Sequence, residues 1–157
     1  MITSLQQCLE REAKLIEAFI AALADETLAL LDRKANEALI KAAQAKEALA
    51  NDLVELNAQR DEILTRMGLS DGHDGTEQAV GQFPELGEIW ERLLRLTKAA
   101  RDKNEHNGIL LRSSLQHTEK SLDALHNITL KVSPSQTYTA QGRSGQPGYG
   151  VRSIIAR

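Results

Sequence analysis

An all-α fold is predicted: an antiparallel hairpin of two long helices, a third and longer helix, and an irregular basic C-terminal tail. Three observations carry this. None of the 10 glycines or 3 prolines occurs before Gly68, so sixty-seven residues rich in Ala, Leu, Glu, Lys and Gln meet no helix breaker. Apolar residues recur at steps of three and four along that stretch and again after Pro84. Only 3% of the 157 residues are aromatic, so the core is made of Leu, Ala and Ile, as packed helices are.

The first helix is expected over about 2–33. Its seam runs Ile2, Leu5, Leu9, Glu12, Ile16, Phe19, Leu23, Glu26, Leu30. The second, about 37–67, runs Leu39, Ala42, Lys46, Leu49, Leu53, Leu56, Arg60, Ile63, Met67. Both are heptad seams of the kind that supercoil. Asn36 is read as the N-cap of the second helix, after a polar turn. The seams' polar exceptions are acidic in the first, Glu12 and Glu26, and basic in the second, Lys46 and Arg60. In an antiparallel hairpin, partners share one midpoint. Glu12 with Arg60 and Glu26 with Lys46 both centre on Asn36, as do Leu5 with Met67 and Phe19 with Leu53. These four charges read as register pairs, since a slipped hairpin buries a lone charge. A buried acid–base site is the other reading, and neither rings nor nearby histidines accompany it.

Residues 68–84, with four glycines and Pro84, are expected to be a connector with room for one short turn near Thr76–Val80. The third helix is expected over 85–130. At 1.5 Å per residue it spans roughly 69 Å against roughly 45 Å for its hairpin partners, so about 15 residues should extend past them. Its face starts at Leu86, Trp90 and Leu93. It then meets Asn104, Asn107 and Gly108, read as a structural polar layer where helices approach and cross-bond, with a ligand site as the alternative. Leu111, Leu115, Leu122 and Leu125 follow as an apolar stripe with no mate in the chain. Residues 1–130 form the helical domain and carry a net charge of −7; residues 131–157 carry four basic residues and no acidic one, giving −3 overall. The tail reads as flexible, a mobile arm whose Tyr138 and Arg143 suit an interface; the alternative is that Tyr138 folds back onto the bundle.

The acidic balance argues against nucleic-acid binding. No apolar run reaches the length of a membrane span, the N-terminus does not read as a signal peptide, and the lone Cys8 suits a reducing cytoplasm. No phosphate loop, nucleophile elbow or paired-cysteine metal site is present, so no enzyme, metal or cofactor is expected. The loop Ser70-Asp71-Gly72-His73-Asp74-Gly75 lacks the ligand alternation of a calcium hand.

Taken in order, Glu12, Phe19-x-x-x-Leu23-x-x-Glu26, Lys46-x-x-Leu49, Arg60, Trp90-x-x-Leu93, Asn104-x-x-Asn107-Gly108 and Tyr138-x-x-x-Gly142 resemble the FlgN family of flagella-synthesis chaperones. Nothing is carried over to residues 68–84. The resemblance implies a cytoplasmic chaperone that binds the hook-associated (hook–filament junction) proteins, prevents their early assembly and delivers them to the flagellar type III export apparatus. The stripe Leu111, Leu115, Leu122, Leu125 is then the candidate client site. Tyr138 and Arg143 are the candidate contact to the export-gate cytoplasmic domain, with the export ATPase complex as a further candidate partner. A structural coiled-coil protein that self-associates through the same stripe is the other reading.

Overall fold

The computed structural model describes residues 1–131, with side chains as far as Thr129. The helices are α1 (Ile2–Leu31), α2 (Asn36–Arg66), α3 (Gly72–Gln82) and α4 (Gly87–Lys131), with a 3-10 turn at Pro84–Leu86 before α4. The fold class is all-α, as the sequence predicts. Among the described residues, 1–116 form one compact unit and 117–131 belong to a second.

The hairpin turn occupies residues 32–35. Asp32 leaves α1 in an extended conformation, and its side chain accepts the Lys34 N–H at 2.9 Å. Ala35 occupies the N-cap position of α2 and makes no side-chain cap bond, so Asn36 is the first helical residue and not the cap. The side-chain bond in this region is that of Asp32, within the turn, and not a cap on α2.

Residues 68–84 are not a plain connector. They hold α3, an eleven-residue helix. Gly68, at φ 76°, ends α2 in a Schellman motif: its N–H donates to Thr65 at 2.9 Å, and the Leu69 N–H donates to Leu64 at 3.0 Å. Gly72, also left-handed at φ 69°, donates its N–H to Asp61 on α2 at 2.8 Å. Glycines that read as helix breakers are the means of reversing the chain into a new helix. Gly75 is the tightest point, because a Cβ there falls 1.6 Å from the Ser70 carbonyl oxygen. Gly75→Ala is therefore expected to destabilise by about 2–3 kcal/mol. Gly81→Ala, where nothing lies within 4 Å, should be neutral or gain about 0.5 kcal/mol. Urea unfolding followed by the fluorescence of Trp90, the lone tryptophan, separates the two.

In the first unit α1 packs antiparallel to α2 and parallel to α4. The α1–α4 direction follows from Glu17 pairing with Arg92 and, further along both helices, Thr27 meeting Asn107. The core joins Leu5, Leu9, Ala13, Ile16 and Leu23 of α1 to Leu64 of α2, Ala79 of α3, and Leu86, Trp90, Leu93 and Ala100. Each fully buried leucine contributes roughly 1.5–3 kcal/mol. The Trp90 ring lies 5.1 Å from that of His73, which brings α3 against the start of α4.

Candidate functional site

Two polar levels cross the apolar core. At the first, Arg60 Nη1 donates to both carboxylate oxygens of Glu12, at 2.9 and 2.7 Å. Both residues are buried. Burial pushes the Glu12 carboxyl above its ordinary pKa, outweighing the charge and hydrogen bond of Arg60, which pull it down. Arg60 Nε and Asn57 Oδ1 are buried without a protein partner. Such a level costs about as much in desolvation as it returns. Cys8 lies beside it, its thiol 3.7 Å from the Leu56 carbonyl, and burial raises its pKa; a thiol so placed packs as a small apolar residue.

The second level ties three helices together. Lys46 Nζ of α2 donates to Glu26 Oε1 of α1 at 2.8 Å. The Asn107 amide of α4 donates to Glu26 Oε2 and to the Leu23 carbonyl, each at 2.8 Å. Thr27 places its hydroxyl 2.6 Å from Asn107 Oδ1 and 2.8 Å from the Leu23 carbonyl. Asn104 is exposed and reaches Lys46 only at 3.5 Å. Asn107 is thus the hub, and Thr27 is a member that sequence reasoning missed: an isolated Thr on a seam flank carries no signal of its own. Gly108 plays no part in a close approach, because a Cβ there meets only the Arg112 guanidinium at 3.6 Å, an ordinary contact. Helix contact at this level depends on Asn107 and not on the neighbouring glycine.

Beyond Asn107 the same face of α4 leaves the core. Trp90, Leu93, Ala100 and Asn107 recur at steps of three or seven and are buried; two further steps of four reach Leu111 and Leu115. Exposure rises from 2% at Asn107 to 41% at Leu111 and 60% at Leu115. In the second unit, Leu122 and Leu125 are each 61% exposed, and Ile128 beside Leu125 is 58% exposed. Ile128 lies off the strict heptad stripe, which is why the seam spacing passes over it. All four stripe leucines are thus uncovered. Tyr138 and Arg143 lie outside the described residues.

Among the described residues no group of three or more His, Cys, Asp or Glu could hold a metal ion, and no helix is long and apolar enough to cross a membrane. What remains is a class: an all-α bundle, cross-linked by buried polar levels, that presents an uncovered apolar helix face. The chain belongs to the FlgN protein family, whose match covers residues 1–146. It is 31% identical over 113 residues to the flagella synthesis protein FlgN of Proteus mirabilis, covering 68% of this chain and 70% of that one. It is 24% identical over 127 residues to the protein of the same name from Yersinia enterocolitica serotype O:8, covering 80% and 82%. No solved structure gives a significant match. Family and relatives together support a role in flagellar biogenesis.

Proposed function

We propose that this protein is a cytoplasmic export chaperone that binds the hook-associated proteins of the hook–filament junction, holds them from premature assembly and delivers them to the flagellar type III export apparatus. One observation carries the reading: α4 goes from buried at Asn107 to exposed at Leu111, Leu115, Leu122 and Leu125. An apolar helix face of this kind suits a client segment that folds as it binds, with each anchor contributing on the order of 1–3 kcal/mol. Family membership supports the flagellar setting. Tyr138 and Arg143 are assigned to the export-gate cytoplasmic domain, where the tail's positive charge favours encounter with an acidic surface; the export ATPase complex is a further candidate for the same delivery step.

The test is affinity capture with the full-length chain from flagellated cells, with the mass of the purified chain measured beside it. Recovery of hook-associated proteins in stoichiometric complexes is the expected result. A stable homo-oligomer that captures no junction protein would overturn the assignment in favour of a self-associating structural protein.

A further inference from the structure

We infer that residues 151–157 of the tail are a tethered placeholder for the far end of α4, lying against Leu122, Leu125 and Ile128 until a client displaces them. The inference rests on the reading of that face as the client site. Leu122, Leu125 and Ile128 follow one another at three-residue steps, and each is 58–61% exposed. Open aliphatic surface of this kind invites non-specific association while no client is bound. A weak cover that the chain itself carries removes that hazard without closing the site.

The tether selects the occupant. Residues 132–157 hold four large aliphatic side chains, and three of them, Val151, Ile154 and Ile155, fall within five positions. Nineteen residues, 132–150, with four glycines and two prolines, separate this cluster from Lys131. A linker of that length and composition spans roughly 24 Å. Leu122 lies nine residues back along α4, roughly 14 Å at the helical rise. The cluster is therefore presented to the face at an effective concentration in the millimolar range, which a dilute competitor of equal affinity does not match. Charge agrees with this choice. Glu119, three residues before Leu122, and Asp123, directly after it, put two carboxylates along one edge of the face. Neither has an ion pair among the described residues. Lys120, the one Lys or Arg between 117 and 129, falls on the opposite side of the helix from Leu122 by its spacing. The segment brings Arg152 and Arg157 to that edge, and no acidic residue follows Asp123 in the chain.

The full-length chain, labelled with 13C at the isoleucine δ1 methyls, reads the contact directly, with the Ile128 signal identified by its loss in Ile128→Leu. Ile154→Asp/Ile155→Asp should shift the Ile128 signal and leave that of Ile40, exposed on α2, in place. The difference should persist on dilution, since the contact lies within one chain. In titration with a purified hook-associated protein, the variant should bind about threefold more tightly than the wild type, because no placeholder has to leave. An Ile128 signal identical in the two proteins would overturn the proposal. So would equal client affinity, or a difference that dilution removes, which would assign the contact to a second copy. A chain that binds no hook-associated protein would instead sink the client reading, and the methyl comparison would still decide whether the segment docks.

Discussion

Arg60→Met is expected to destabilise the protein by about 3–5 kcal/mol at neutral pH, a large share of the roughly 5–15 kcal/mol that holds a domain of this size together. The loss comes less from the missing attraction than from what is left behind. Glu12 is buried, and Arg60 Nη1 bonds both of its carboxylate oxygens, so the variant buries a carboxylate with no counter-charge. The pH dependence identifies this cause. Burial already raises the Glu12 pKa in the folded state, with Arg60 partly opposing the rise. A raised carboxyl pKa means that the folded state holds the proton more tightly than the unfolded chain. Its contribution to stability is therefore largest at low pH and is lost as pH rises through the folded value. Removing Arg60 takes away both influences that lower the pKa, so the rise grows. The deficit of Arg60→Met relative to the wild type should accordingly shrink on acidification, as Glu12 becomes neutral in both proteins. Urea unfolding followed by Trp90 fluorescence across pH measures it. A deficit that does not change with pH would assign the loss to packing. Glu12→Leu/Arg60→Met, which removes both charges, should recover most of the lost stability.

The same level shows why so much of the hairpin was legible. Two seams with opposite-sign exceptions at matched spacing admit one antiparallel alignment, and the Glu12–Arg60 and Glu26–Lys46 contacts of 2.7 and 2.8 Å lie on it. A heptad pattern exposes such information because every seventh residue faces the same neighbour. α3 was not legible for the opposite reason. Its glycines act through tertiary geometry, with Gly72 bonding Asp61 and Gly75 fitting against the Ser70 carbonyl, whereas composition shows only residues that oppose helix. The second polar level was half legible: paired asparagines announced it, but only the fold distinguishes the buried hub Asn107 from the exposed Asn104. Thr27, one turn from Leu23 on a seam flank, bonds a backbone carbonyl in its own helix and an amide in another, and no spacing rule marks it.

Leu115→Asp/Leu122→Asp is expected to abolish client binding, by about a hundredfold or more, while leaving stability within roughly 0.5 kcal/mol of the wild type. The two halves of this expectation rest on the same numbers. Leu115 is 60% and Leu122 61% exposed, so in the free protein a carboxylate at either position keeps most of its water and opens no cavity. When the face is covered, each of those carboxylates must be desolvated where a leucine was buried, and an unpaired charge there costs several times what the lost apolar contact does. The positions contrast with Leu93, which is 2% exposed on the same helix; Leu93→Asp should unfold the bundle instead of selectively disabling it. Circular dichroism, urea unfolding and solution mass, measured beside titration with a purified hook-associated protein, separate the outcomes. Intact folding with lost client binding supports the stripe as the client face. Unfolding of the double variant would make those leucines part of a core that the free chain forms. A fall in mass from dimer to monomer with client binding retained would assign the face to self-association. The α4 face then has one occupant, and the measurement identifies it: a client helix that competes for Leu115 and Leu122, or a second copy that already covers them.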